Sequence, residues 1–421
     1  MSGRRPGGDR GLPATVDESL RAHAERVWLH PVDADGSVAV TLGTSPPAHH
    51  VVVEQYAVLP SVSAPRLLAP VGSRHATAAA LRAYGAARSP YSRLARRAMA
   101  TAMRTGVLDS RSRLIVSVDA RIPRPRWSEV LLTQHLRLAI DQPQAIAVME
   151  VRPLNPNAKP TVQLFDPTGV PLAYVKLGTS AATKEMVRRE AAALTALKGR
   201  LTTVLVPEML GAGEWHDTSY VMGGALPLDI RRWSGRPEDT EAALRDIVAS
   251  GTMSVSTFAA SAHFAQLRAD IAAASEQPDV ASVLGAWLER LASHRTPLQL
   301  GRTHGDWIPD NLGQSAAGLA VWDWEHSIDD APVGSDLLHW HFKEGMDAGG
   351  LTAAVAAVDA AAPNLHLLGV PPQARELVAS LYLLHAFVRR LRLAVGGGGW
   401  NARWYPGLIS VARSRDLTTP R

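Results

Sequence analysis

The chain is 421 residues long, 46% hydrophobic and 20% charged, with a formal net charge of +5. That length exceeds one compact domain and the apolar content fills ordinary cores, so two or three units are expected. Cysteine is absent, which excludes disulfides, thiolate metal sites and cysteine nucleophiles.

Charge is unevenly placed. Residues 1–140 hold 19 Arg, no Lys and 10 acids, a net +9, whereas the remainder nets −4. These arginines are scattered and not interleaved with aromatics, so a solvated basic surface is expected rather than nucleic-acid binding. No apolar run approaches the ~20 residues of a membrane span. The leading MSGRRPGGDRGLP lacks the apolar stretch of a signal peptide, and a cytoplasmic location is the default expectation. Residues 1–20 read as a disordered basic lead.

From 21 to 140 the pattern is that of an α/β extension without recognisable chemistry. Strands are expected over 50–59 and 66–71, with Pro60 and Pro65 between them. Helices follow over 76–87 and 91–105, separated at Ser89-Pro90. A strand over 114–118 and a helix over 127–140 close the segment. Arg88, Arg93, Arg96, Arg97 and Arg104 could share a basic helix surface, which is ordinarily a solvated face.

At about 145 the pattern changes to strand, turn, strand: 145–151, then 161–165, then 171–177 (PLAYVKL) after the turn Asp166-Pro167-Thr168-Gly169. Leu172, Tyr174 and Lys176 share one face of the third strand by the period of two. Lysine is scarce, five against 39 Arg, so a Lys ending an apolar strand points to a need for a compact ammonium. The next segment, 183–198, is a helix with Val187, Ala191, Leu194 and Leu197 as its inner stripe. Glu190 falls on that stripe, and an inward carboxylate needs a partner. Lys176 is the nearest candidate.

Strands are expected over 201–206 and 219–222, followed by a Gly223-Gly224-Ala225-Leu226 crossover. Beyond it the chain is mostly helical, with helices over 240–249, 255–274, 280–293 and 372–395. Within this part lies the stretch THGDWIPDNLGQSAAGLAVWDWEHS, 303–327. A loop there presents Asp306 and Asn311 together, and a hairpin turning between Gly313 and Gly318 returns Asp323 beside them. One carboxylate to accept a proton, with an amide oxygen and a second carboxylate to hold a hard cation, suits phosphoryl transfer from a nucleotide.

The pattern His304-Gly305-Asp306-x4-Asn311 followed by Asp323-Trp324-Glu325 resembles the aminoglycoside phosphotransferase and choline kinase group. The resemblance spans about 145–345. It implies an α+β, bilobal protein-kinase-like fold: a β-rich N-lobe over 141–226 and a helical C-lobe over 227–421, with the 21–140 extension outside it. It also implies ATP and Mg²⁺ as cofactors and a small-molecule hydroxyl as acceptor. Asp306 becomes the catalytic base, Asn311 and Asp323 the metal ligands, and Lys176–Glu190 the ion pair that steers the phosphates. His304 would be structural, Asp336 would brace the loop, and Glu325 would be exposed or support the site from behind. Backbone groups near Met222, Gly224 and Leu226 would meet the adenine.

Two departures qualify the resemblance. The 152–160 loop has no glycine, so Asn155, Asn157 and Lys159 are the candidates for phosphate contact, with a plain Pro-rich hairpin as the alternative. A Walker A motif is absent, which excludes a P-loop enzyme. There is no A-P-E segment either, which argues for a small acceptor over a protein. Cationic acceptors such as aminoglycosides need acidic walls, for which Asp310, Asp329, Asp330, Glu344 and Asp347 are available. His339 and His341 do not share a helix face and make poor joint metal ligands with His326. The alternative function is a non-catalytic nucleotide-binding module that docks a partner through the basic N-terminal region.

Overall fold

The computed structural model describes residues 12, 16–29, 36–43, 45–83, 101, 113–153, 155–396 and 405–415. Apart from Thr101, the helix expected over 91–105 lies outside them, as do the arginines at 88, 93, 96, 97 and 104. The described chain is mixed α+β and divides into two compact units. Met1–Thr179, Thr183–Ala191 and Glu208–Leu228 make the first; Ser180–Ala182, Ala192–Pro207 and Asp229–Arg421 make the second.

The first unit is built on one antiparallel sheet. Its strands are β1 (Val38–Leu42), β2 (His50–Ser61), β3 (Ala64–Pro70), β4 (Arg113–Asp119), β5 (Ile146–Glu150), β6 (Thr161–Phe165), β7 (Pro171–Gly178), β9 (Met209–Trp215) and β10 (Thr218–Gly224). They lie in the order β1-β4-β2-β3-β5-β6-β7-β10-β9. Strand β3 pairs with β5 through Leu67↔Glu150 and Leu68↔Met149. Residues on either side of the boundary read at 140 therefore share one sheet.

Both faces of that sheet are covered. On one, Ala173, Val175 and Leu177 of β7 are buried with Val162, Leu164, Trp28, Leu132 and Leu136. On the other, Leu59, Leu67, Val148 and Phe165 pack with Ala76 and Ala80 of the helix Arg74–Ala83. The alternation along β7 follows from the two-residue strand period.

Several elements differ from their expectation, each for a local reason. The helix Glu18–Val27 starts inside the lead read as disordered: Asp17 caps it by accepting the Ser19 N–H at 2.9 Å, and it buries Leu20, Ala24 and Val27. The 127–140 helix is broken at Leu131, whose φ of −124° and ψ of 114° are extended. Strand β9 was not expected because it carries Gly211 and Gly213. At Gly213 a Cβ would press on the Tyr220 ring, 2.8 Å from its hydroxyl, whereas at Gly211 it would meet only the flexible end of Met222.

The second unit is mainly helical, with helices Glu241–Ala249, Ala262–Ala272, Pro278–Ala292, Ser335–Ala361, Pro372–Val395 and Tyr405–Ser414. The helix expected over 255–274 is shorter. Ser254–Ser256 is a strand (β12), and Ser261 caps the helix by accepting the Phe264 N–H at 3.1 Å. Two small sheets complete the unit. Strand β12 pairs with β13 (Leu298–Thr303), which pairs with β16 (Ile328–Pro332). The other sheet runs β11 (Arg231–Arg232), β14 (Leu312–Ser315), β15 (Gly318–Val321), β8 (Val204–Leu205).

The run Ser335–Leu368 is long and apolar enough to cross a membrane by length and composition, a match that a search for ~20 uninterrupted apolar residues passes over. It is kinked at Gly349 and Gly350, and it buries Asp336 among its apolar residues.

Candidate active site

In the first unit, Lys176 and Glu190 meet. The Lys176 Nζ donates to both Glu190 carboxylate oxygens at 2.6 Å. Strand β7 sits between β6 and β10, with Lys176 opposite Thr161 and Val221. Its neighbours in register fix where the ammonium emerges. Glu190 is buried on the helix Ala181–Leu197 beside Met186, Val187, Leu194 and Leu197, whereas Ala191 is only half-buried. The helix stripe thus lies slightly round from the one expected, and Glu190 sits in its middle.

The 152–160 loop is held by its own side chains. Asn155 Oδ1 accepts the Asn157 N–H at 2.9 Å, forming an Asx turn. Lys159 Nζ lies 3.4 Å from the Met186 sulfur, one helical turn before Glu190. Two of the five lysines thus reach the same helix face. Met222 is buried on β10, and the Gly224 N–H donates to the Glu208 carbonyl at 2.7 Å. That bond commits one backbone group of the crossover, and Leu226 is half-buried beyond it.

In the second unit, the 303–327 stretch forms the loop and the hairpin that the spacing predicts. Strand β13 ends at Thr303 and the chain turns at Gly305, whose φ is +79°. A Cβ there would stand 2.1 Å from the His326 carbonyl oxygen, so only glycine fits. The β14–β15 hairpin pairs Leu312 with Val321 and Ser315 with Gly318. Trp322 then donates its N–H to the Asn311 carbonyl at 3.2 Å. Asp323 comes next, half-buried and left-handed with φ 66° and ψ 54°.

The loop is braced from below. His304 N–H and Gly305 N–H donate to the two carboxylate oxygens of buried Asp336 at 2.7 and 2.8 Å. Burial pushes the Asp336 carboxyl up, against these bonds and the nearby imidazole of His304. His304 is fully buried, which lowers its imidazole despite the neighbouring carboxylates. Its Nδ1 accepts the Asp306 N–H at 3.2 Å, so the proton sits on Nε2, 2.9 Å from the Trp322 carbonyl. His304 is a spacer between loop and hairpin.

Asp306 and Asn311 are hydrogen-bonded. Asn311 Nδ2 donates to the Asp306 backbone carbonyl at 2.9 Å and to Oδ2 at 2.8 Å. With its amide hydrogens so engaged, Asn311 presents Oδ1 as an acceptor, the kind of atom a hard cation takes. The donor set of Asn311 and Asp323, all oxygen, fits Mg²⁺. Glu325 is half-buried beside His326 at 3.5 Å.

Three residues near Asp306 were not foreseen. Arg389 Nη2 and His339 Nε2 each lie 3.0 Å from Asp306 Oδ1, Arg389 Nη1 donates to the Gly305 carbonyl at 2.6 Å, and the Tyr382 hydroxyl is 3.0 Å from His339 Nδ1. Burial favours the neutral form of Asp306, but the Arg389 charge and the His339 bond outweigh it and hold the carboxyl well below its usual range. Burial lowers the His339 imidazole in turn. One signal was available: His339 lies three residues after Asp336 on one helix and so shares its face.

The acids proposed as pocket walls are already engaged. Asp310 pairs with Arg232 at 2.8 Å and Asp329 with Arg302 at 3.2 Å, while Asp330 accepts the Ala262 N–H at 2.6 Å. Asp347 pairs with Lys343, and Glu344 lies 3.6 Å from His341. His339 and His341 face different partners, Asp306 and Glu238.

No family model matches the sequence, and no curated protein does. Solved structures of small-molecule kinases are similar to it. A thermostable mutant of aminoglycoside phosphotransferase APH(4)-Ia is 15% identical, over 65% of this chain and 95% of its own, with a TM-score of 0.35. An amicoumacin kinase in complex with AMP-PNP and Ca²⁺ is 9% identical over 70% and 95%, with a TM-score of 0.38. A glucosamine kinase is 14% identical over 72% and 86%, with a TM-score of 0.31. At such identities and scores the functional reading rests on the geometry.

Proposed function

We propose that this chain is an ATP- and Mg²⁺-dependent phosphotransferase acting on a hydroxyl of a small molecule, of aminoglycoside-, amino-alcohol- or sugar-like type. The observation that carries the reading is the Asp306–Asn311 hydrogen bond at 2.8 Å, which joins a proton acceptor to a cation ligand in one loop. The Lys176–Glu190 pair supports it independently.

In this reading Asp306 orients the acceptor hydroxyl and takes its proton. Asn311 and Asp323 would hold Mg²⁺, which would supply positive charge to offset that of the nucleotide phosphates. Lys176, held by Glu190, is the cation for the phosphates, and Lys159 is a second.

The test is transfer of label from γ-labelled ATP to a pooled small-metabolite extract and to an aminoglycoside panel, with Mg²⁺. Wild type should make a labelled product that Asp306→Ala does not. Nucleotide binding without any product from either pool would sink the reading.

A further inference from the structure

The partners of Asp306 leave its carboxylate open in one direction. A carboxylate oxygen offers about two acceptor sites. Oδ1 fills both, with Arg389 Nη2 and His339 Nε2 each at 3.0 Å. Oδ2 fills one, with Asn311 Nδ2 at 2.8 Å. The remaining site on Oδ2 is the one that can receive another donor.

Neither Arg389 nor His339 belongs to the loop. Arg389 comes from the helix Pro372–Val395 and grips consecutive residues, the Gly305 carbonyl at 2.6 Å and the Asp306 side chain. A guanidinium is a rigid planar fork, so its two bonds fix the side chain relative to the backbone before it. His339 comes from the helix Ser335–Ala361 and is itself fixed from behind by Tyr382. Tyr382 is buried, which raises its phenol far above the usual range. The Asp306 carboxylate only accepts, so the imidazole proton sits on Nε2, the atom that faces it, and the Tyr382 hydroxyl donates to His339 Nδ1. Both helices thus point a defined donor at the same oxygen.

We propose that Arg389 and the Tyr382–His339 pair are positioning residues that lock the Asp306 side chain so that the acceptor hydroxyl is received by the remaining site on Oδ2. This rests on the phosphotransferase reading above. The hydroxyl proton passes to Oδ2 as the new oxygen–phosphorus bond forms. The bond to the departing ADP oxygen breaks, and that oxygen keeps the electron pair.

The test uses the full chain and the variants Arg389→Ala, Arg389→Lys, His339→Ala, His339→Gln and Tyr382→Phe, with melting temperatures to exclude misfolded ones. The chain has five asparagines, so ¹⁵N-asparagine labelling gives few side-chain amide signals. The one lost in Asn311→Asp reports the contact with Asp306. That signal should move towards a free amide in Arg389→Ala and His339→Ala, and return when guanidinium is added to Arg389→Ala. In parallel kcat should fall roughly 10- to 100-fold, with KM for ATP within about twofold, because only the acceptor geometry is lost. His339→Gln, which keeps a donor, should retain more activity than His339→Ala. An unmoved Asn311 signal in both alanine variants overturns the proposal whatever the turnover. A raised KM for ATP with unchanged kcat overturns it too, because Arg389 would then be a phosphate ligand. A moved signal with no turnover in wild type overturns the phosphotransferase reading instead, and with it the role given to Oδ2.

Discussion

Asp336 carries the backbone of His304: one carboxylate oxygen accepts the His304 N–H at 2.7 Å while the other accepts Gly305. Each oxygen has its own buried donor, so an amide cannot replace the carboxylate. Asp336→Asn turns one acceptor into a donor facing an N–H. It should cost about 1–3 kcal/mol of stability, the usual penalty for an unmet buried polar group. Turnover should fall at least roughly tenfold, since the loop holding Asp306 loses its brace. Urea unfolding and the labelled-ATP assay check the two parts separately.

Lys176→Met should separate stability from nucleotide binding. It deprives the buried Glu190 carboxylate of its ammonium, whose side chain is 19% exposed. The cost should be about 2–3 kcal/mol, below that of a fully enclosed pair. Lys176→Met combined with Glu190→Leu should recover most of that stability. Neither variant should bind ATP with wild-type affinity, as measured by titration with a fluorescent analogue.

Gly305→Ala should be far more damaging than Gly318→Ala. Both glycines have positive φ, but a Cβ at 305 meets the His326 carbonyl, whereas at 318 nothing lies within 4 Å. The second change should cost about 1 kcal/mol. The first should displace the loop and abolish transfer. Melting temperature and activity of the two proteins, side by side, decide it.

Acid should destabilise the second unit through His263. Burial, aided by the Arg392 charge, lowers its imidazole to about 4. Above pH ~6.5 the ring is neutral in both folded and unfolded chains and contributes nothing. Between 6.5 and about 4 the unfolded chain binds a proton that the folded one does not, so stability falls with pH, by about 3 kcal/mol in all. His263→Phe should flatten that part of the profile, read as urea midpoints at pH 7 and pH 5.

The 303–327 loop was legible in the sequence because its residues are neighbours along the chain. The Lys176–Glu190 pair was legible because strand and helix periodicity aim the two side chains. The helix Pro372–Val395 was read at its observed ends, where Pro and Gly punctuate an unbroken apolar pattern. The clamp on Asp306 was hidden by distance, since His339 and Arg389 lie 33 and 83 residues away. The shared sheet was hidden because β3 and β5, about 80 residues apart, belong to stretches of opposite net charge. Composition marks a change of surface there, and strand pairing ignores it.

The Leu67–Glu150 and Leu68–Met149 pairing bears on how this protein can be dissected. Strand β5 is an interior strand only because β3 occupies its flank. Cutting the chain at 140 would turn it into an edge, with unpaired N–H and C=O groups beside the apolar Val148 and Met149, the kind of template on which one chain recruits another. A fragment beginning there would associate through that edge, so the basic segment can be probed by surface substitutions but not by removal. Strand β3, contributed from before that boundary, is what keeps β5 inside the sheet.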